Sequence, residues 1–452
     1  MKPDTISAQW AQLRRRITRF TWGGAWAVSL SDHQRRNLTL FFYDGLFSAA
    51  SDKIILTYLT IYLLTLGVTR AQIGLLSSFS NLADALLLLP AAMLVERTGK
   101  RKEITVKSAL VSRTVVLLMA LLPFLLLDSP ALVWIILALA LIRDGANNFA
   151  FPGWIALTSD IVPLEGRGRY FGARNFIMGL AGMIVTLIIG EAITQIGDPL
   201  GYQLAYLLAA ILGGISIHFF SKIIDSSSKN ESIGEAEEAE HHLVDDIKGI
   251  FTSLKGHPHF IKFAIYIAVW NFGINIAAPF FSVYMVDTLH LTAAMIGVVT
   301  VLNTAANMLV QRQVGVLADK WGNRIVTIVF LALIPVLPVL WGLWVQQYWH
   351  VILLQVLGGL LWGGFNLVSF NNLLMQTPED QRARFSAFYQ IIVTLSLAGG
   401  AALGSYLITR FDFIGVTLAS AALRWVAAML FVLIVANPAD TIDNPPVGNT
   451  GI

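Results

Sequence analysis

The sequence predicts an all-α polytopic membrane protein whose twelve transmembrane helices form two pseudo-symmetric six-helix bundles. Three observations lead there. Hydrophobic residues make up 56% of the 452-residue chain, only 13% of its residues are charged and its mean hydropathy is +0.67, which is too little polar surface for a soluble domain of this size. Long apolar runs recur along the whole chain. A charged turn, AAMLVERTGKRK at 91–102, returns 223 positions later as VGVLADKWGNRI at 314–325.

The apolar runs lie at 38–64, 71–95, 104–127, 131–159, 174–196, 202–222, 260–287, 293–318, 324–346, 349–376, 385–409 and 413–436. Each is at least about 20 residues long, enough to cross a bilayer as a helix at about 1.5 Å per residue. Their length and density exclude a barrel, whose strands alternate over about ten residues. Helices also satisfy their own backbone groups in lipid.

With the N-terminus inside, the cytoplasmic segments collect Arg14, Arg15, Arg16, Arg97, Lys100, Arg101, Lys102, Arg167, Arg169, Arg174, Lys320, Arg324, Arg382 and Arg384, whereas the outer loops hold only Arg70 and Arg410. The lysine and arginine asymmetry therefore predicts a multi-pass protein of the cell inner (plasma) membrane with both termini cytoplasmic. The net charge of +3 reflects that bias and does not point to nucleic acid. The chain has no cysteine, which removes disulfides, thiolate metal sites and cysteine nucleophiles.

Residues 1–37 read as a cytoplasmic basic segment. Trp10, Leu13, Ile17 and Phe20 recur at helical spacing opposite Arg14, Arg15, Arg16 and Arg19, the pattern of an amphipathic helix on the inner leaflet or of a simple basic tail. The first long apolar run, from near Asn37, exceeds the usual signal core, so no cleavable leader is expected. The bundles are expected at 38–222 and 260–437, joined by a cytoplasmic linker at 223–259 and followed by a tail at 438–452. Leu243, Ile247, Ile250, Phe251 and Leu254 allow a short amphipathic helix in the linker. His241, His242, His257 and His259 match no ligand spacing and read as solvated, so neither a metal nor a cofactor is expected.

The repeat extends beyond the charged turn. At the 223 offset Gly74 falls on Gly297, Asp84 on Asn307, Glu96 on Asp319, Arg97 on Lys320, Gly99 on Gly322 and Arg101 on Arg324. At an offset of 215, Pro163, Glu165, Arg167 and Arg169 fall on Pro378, Asp380, Arg382 and Arg384. These are parallel repeats, as expected when each half has an even number of spans.

Gly315, Leu317, Ala318, Asp319, Lys320, Gly322 and Arg324, with Asn323 at one usually basic place, resemble the loop signature of the major facilitator superfamily of secondary transporters, prokaryotic type. The first copy departs from it at Ala92 and Glu96, where glycine and aspartate are usual. The resemblance implies alternating access, a central cavity lined by helices 1, 4, 7 and 10, and a gating latch formed by Glu96, Arg97, Gly99, Arg101, Arg167, Asp319, Lys320, Gly322, Arg324 and Arg382. Physically, the glycines permit tight reversals, and the acidic residues suit the positive ends of neighbouring helices.

Charges inside the spans are the candidate chemistry, because each costs about 2.5 to 3.5 kcal/mol near the midplane. Span 1 carries Asp44, Asp52 and Lys53, span 2 carries Asp84, and span 4 carries Arg143 and Asp144. Sequence neighbours do not face one another on a helix. Partners are therefore expected across helices, Asp52 with Arg143 and Lys53 with Asp84 or Asp144. Asp52 is the expected proton carrier, tuned by Arg143, with Asp84 in reserve. Arg143 and an acidic residue in span 1 resemble the drug and proton antiporters of the superfamily. Ala146 and Asn147 depart from that pattern, as does span 5. Glu191, Arg113, Arg312 and Arg424 rank lower, as groups that snorkel or pair.

The second half places Asn275 opposite Asp52 in the repeat. It offers Trp270, Asn271, Asn275, Trp362 and Asn366 as a substrate cavity rich in hydrogen bonds and aromatic surface. The leading expectation is a secondary active transporter moving a small organic solute by alternating access, coupled to protons, monomeric, and dependent on membrane lipids but not nucleic acid. The alternative is a non-cycling membrane assembly or pigment-handling protein on the same fold. An intramembrane enzyme ranks third, since neither HExxH nor GxSxG occurs.

Overall fold

The computed structural model describes residues 21–22, 24–126, 129–225, 257–377 and 381–435, with the side chains of Ala25 and of 382–384 excepted. The expected N-terminal amphipathic helix, the linker helix from Leu243 to Leu254, the His241 and His242 pair and the tail from 438 lie outside the described residues. So does the Arg382 side chain.

The described regular structure is helical. The helices are α1 (Asp32–Thr65), α2 (Arg70–Thr98), α3 (Arg101–Leu126), α4 (Ala131–Ile161), α5 (Arg167–Ile196) and α6 (Leu200–Ser221). Then come α7 (Pro258–Ala277 continued by Phe280–Asp287), α8 (Ala293–Trp321), α9 (Asn323–Leu333 continued by Val336–Leu343) and α10 (Tyr348–Gln376). The last stretch, Arg382–Ile434, is broken by a kink at Asp412, where φ is 51°, and so comprises α11 (382–411) and α12 (413–434). Among the described residues this gives twelve spans, as the apolar runs predict.

Local chemistry sets the ends and interruptions. Ser31 and Gln34 form a reciprocal capping box at the start of α1, and Thr69 with Gln72 repeats it before α2; each satisfies donors that open a helix. Pro279 and Pro335 lack an N–H, which interrupts the hydrogen-bond ladders of α7 and α9 while the backbone stays in the helical region. Gly99 and Gly322, in the two charged turns, have φ of 60° and 84°, a region open to glycine at little cost.

The described chain clusters into two compact units. One runs to Gly67 and resumes at Leu86; the other comprises Val68–Ala85 and the residues from 257 onward. In the first unit Lys102 Nζ donates to the Ile223 carbonyl just beyond α6, at 2.7 Å. In the second, Arg324 donates to the Val435 and Val432 carbonyls at 2.5 and 3.0 Å and lies 5.4 Å from the Phe431 ring centroid. A cation thus closes the carbonyl end of the last helix in each unit, where the helix dipole is negative.

The first part of α2 is held inside the second unit. Ser405 donates to the Ala71 carbonyl (2.6 Å), Ser78 to the Ala398 carbonyl (2.8 Å), and Arg70 pairs with Asp287 (2.9 Å). Two small-residue stripes bring helices close in this unit. Gly400 and Gly404 of α11 face the Phe272 and Ile276 carbonyls of α7, and Gly359 and Gly363 of α10 face the Asn303 and Asn307 carbonyls of α8. Glycine four residues apart permits such backbone approach, which is how helices pack where lipid supplies no hydrophobic drive. Apolar side chains such as Leu56, Leu125, Leu309 and Leu433 are 68 to 79% exposed, as a lipid-facing surface requires.

The Gly404 contact yields a stability test. Gly404→Ala would drive a methyl into the Ile276 carbonyl oxygen and cost about 1 to 3 kcal/mol as overpacking. Purified Gly404→Ala should therefore melt several degrees below wild type in detergent. Gly214→Ala, at a helical glycine with open space around it, should melt like wild type. Equal melting of all three proteins would remove close packing as the reason for Gly404.

Candidate functional site

On α1, Asp44, Ser48, Ser51 and Asp52 recur at three- and four-residue spacing, which lines them along one helix face. Two arginines from other helices meet that face. Arg113 of α3 donates to Asp52 Oδ1 at 2.7 Å, to Ser51 Oγ at 3.3 Å and to Ser48 Oγ at 3.3 Å. Ser48 in turn donates to Asp52 Oδ2 at 3.0 Å. One turn or two toward the start of α1, Asp44 accepts from Ser216 Oγ of α6 at 2.7 Å, with Arg174 Nη2 of α5 at 3.9 Å. Arg174 also donates from Nε to the Phe41 carbonyl (3.2 Å) and lies 4.1 Å from the Phe41 ring centroid.

Glycine makes room for these cations. A Cβ at Gly45 would collide with the Arg174 guanidinium, and one at Gly213 with Arg113 Cδ and Nε. Arg113, Arg174 and Asp44 are almost fully buried, at 8, 3 and 6% exposure, while the Asp52 side chain keeps 36% of its surface. The cluster lines a cavity of about 390 Å³ together with Asn147, Phe151, Trp154 and Asn175. That volume lies in the range of small-molecule pockets. With both carboxylates ionised, two negative and two positive charges balance. Protonating either carboxylate would leave one buried positive charge for something else to meet.

The partners differ from those expected. Asp52 pairs with Arg113, not with Arg143. Arg143 pairs through Nη2 with its own neighbour Asp144, at 2.5 Å. The spacing rule concerns short side chains near the backbone; the Arg143 side chain is long enough to turn back on the adjacent carboxylate. Its Nε and Nη1 are buried without a hydrogen-bond partner among the described residues. Lys53 lies along Gly182 and makes no ion pair among the described residues, so neither Asp84 nor Asp144 neutralises it there. Asp84 is half-buried in the part of α2 that belongs to the second unit.

The second-unit candidates fall into two groups. Trp270 is buried against Phe365 and Trp362, with ring centroids 5.1 and 6.3 Å away. Asn275 donates to the Leu397 carbonyl at 2.8 Å and to Ser77 Oγ at 3.3 Å, and Asn271 returns to the Ile267 carbonyl at 2.9 Å. Those two amides are thus engaged with packing partners, whereas Asn366 is exposed.

In the charged turns, Arg101 pairs with Asp160 at 3.0 Å, and Arg167 donates to the Ser159 and Val162 carbonyls at the end of α4, at 2.8 and 3.2 Å. Glu96, Arg97, Asp319 and Lys320 are exposed. Glu96, Asp319 and Lys320 form no ion pair among the described residues.

Arg113 and Arg174 carry more of the site than the sequence reading allowed. Arg174 read as a cytoplasmic topology charge because span 5 was expected to begin there. The helix in fact starts two turns earlier, at Arg167, which draws Arg174 into the packed interior. The signal for both arginines was a cation inside an apolar helix with a glycine available elsewhere to seat it, a pairing no linear pattern reveals.

The sequence profile described as Major Facilitator Superfamily matches residues 45–276 and 260–450. The multidrug resistance protein MdtG of Serratia proteamaculans (strain 568) is 23% identical over 390 residues, spanning 84% of this chain and 89% of that protein. The crystal structure of the nucleoside transporter NupG matches with a TM-score of 0.67 at 12% identity, covering 90% of this chain and 100% of that one. A POT family transporter in complex with a thioalcohol-conjugated peptide matches with a TM-score of 0.66 at 12% identity, covering 87% and 94%. At such identities these two structures share the fold.

The Asp52–Arg113 pair has a measurable signature. Arg113→Gln should lower the melting temperature of the purified protein, because it strands a carboxylate in a largely apolar wall. Asp52→Asn in the same background should recover part of that loss, with a coupling of about 0.5 to 3 kcal/mol in the double-mutant cycle. Losses that simply add would mean the two groups are not energetically coupled.

Proposed function

Because the chain belongs to the major facilitator superfamily and is a multi-pass secondary transporter with a small-molecule substrate, we propose that it moves a small organic solute by alternating access coupled to protons, with Asp52 as the proton-carrying carboxylate. One observation carries this reading: a partly open carboxylate, bonded to a buried arginine and a serine, in the wall of a cavity. Arg113 takes the tuning role first expected of Arg143.

The coupling follows from charge balance. While Asp52 is ionised, Arg113 is neutralised by it. When Asp52 takes a proton, Arg113 is left as an uncompensated buried charge, which favours rearrangement or an electronegative group on the solute. Separating the two charges from about 4 to about 8 Å at an effective dielectric near 20 weakens their attraction by about 2 kcal/mol. That exceeds a tenfold change in proton affinity, enough for proton release to alternate with conformation. Asp44, with Ser216 and Arg174, holds the neighbouring charges in place. The similarity to MdtG supports a mixed pool of drug-like organic molecules as the first solutes to screen.

The test is uptake into proteoliposomes, with the solute identified by mass spectrometry from that pool. Asp52→Asn should abolish accumulation driven by an imposed pH gradient while preserving solute exchange. A variant that still accumulates solute under the same gradient would remove Asp52 as the coupling group. If wild type binds a solute that it never moves, the non-cycling reading gains instead.

Asp319 and Glu96, exposed in the two charged turns, are proposed to bias the conformational equilibrium. Asp319→Asn should slow transport several-fold while leaving solute affinity nearly unchanged, because the cavity is untouched. Loss of affinity with normal turnover would contradict a gating role.

A further inference from the structure

The second unit contains a buried cation that the proposed transport chemistry does not use. Arg424 of α12 is 3% exposed and makes no ion pair among the described residues. Its Nη2 donates to the Ile274 carbonyl at 3.2 Å, and its guanidinium carbon is 6.0 Å from the Trp362 ring centroid. Its Nε is buried without a hydrogen-bond partner among the described residues. Gly273 lies against its side-chain stem and backbone, so close packing fixes where the arginine sits.

Arg424 also lines a cavity of about 390 Å³ between α7, α8, α9, α10 and α12, whose described lining includes Phe281, Trp341, Trp362, Asn303 and Gln355 but no carboxylate. Asn303 donates to the Gln355 carbonyl at 2.8 Å and to Gln355 Oε1 at 3.2 Å. This leaves the Gln355 amide donors without a partner among the described residues.

A buried guanidinium without a counter-ion is costly, and one carbonyl bond with one distant aromatic face offsets little of that cost. We propose that this cavity is a binding site for a small aromatic carboxylate, with Arg424 as its anion receptor. The planar fork of arginine matches a carboxylate in a way that lysine does not. The Gln355 amide supplies a further donor. Trp341, Trp362 and Phe281 surround the space with flat apolar surface suited to a ring. The site lies within the second unit and is separate from the Asp52 cluster.

Binding of radiolabelled benzoate to the purified full-length protein in detergent tests this. Wild type should bind saturably, and benzamide and acetate, which lack the charge or the ring, should compete at least about tenfold more weakly. Arg424→Gln should abolish binding, and Gln355→Ala and Trp362→Leu should each weaken it several-fold. Asp52→Asn should bind like wild type. Absence of saturable binding, equal competition by benzamide, or loss of binding in Asp52→Asn would overturn the proposal. Should Arg424→Gln fail to give a monodisperse protein, wild-type affinity in both other cavity variants would overturn it equally.

Discussion

A buried guanidinium is costly without a counter-charge and needs a place to lie, and the first unit is arranged around meeting both needs for Arg113 and Arg174. Arg113 and Arg174 leave their own helices and cross to α1, where Asp52 and Asp44 meet them. The crossing is possible because Gly213 and Gly45 have no Cβ at the points of passage. A methyl at either position would collide with the arginine before any pairing could form. The serines then complete the arrangement: Ser48 and Ser216 donate to the carboxylates, and Ser51 fixes itself by donating to the Ala209 carbonyl at 2.8 Å.

Glycine has a different use in the second unit. There Gly359, Gly363, Gly400 and Gly404 admit backbone instead of side chains, so α8 lies close to α10 and α7 close to α11. Few charges are left in its middle. The two units thus share a helical plan and divide the chemistry: one carries the Asp44, Asp52, Arg113 and Arg174 cluster, the other a tightly packed frame with Arg424 at a cavity wall. The repeat constrains the turns, where Gly99 and Gly322 both take a positive φ and a basic residue closes a helix end. It does not constrain the interiors.

This division bears on how a proton can be handled. Asp44 is almost fully enclosed and bonded to a neutral serine, with its arginine at the limit of pairing distance. Asp52 retains access to the cavity while holding a short charge-assisted bond. Of the two, only Asp52 combines an acid that solvent can reach with a strong, breakable partner. Arg143 instead pairs through Nη2 with the adjacent Asp144 on its own helix, and not with a carboxylate of α1.

The number of spans, the doubled charged turn and the residues able to titrate were all legible in the sequence, because apolar runs and charge position are properties of the chain itself. Asp44 and Asp52 could be singled out for the same reason: a carboxylate inside an apolar run is unusual wherever it ends up. Their partners could not be read. Whether Asp52 meets Arg113 or Arg143 depends on which helices adjoin α1 and on where a missing Cβ opens a path. Both are decided by packing between residues more than sixty positions apart. Arg174 shows the same limit at a boundary, since two extra helical turns turned an expected surface charge into a buried one. Tertiary structure decided the pairings because a long cation's destination is set by the space left by its neighbours, and that space exists only once the helices have come together.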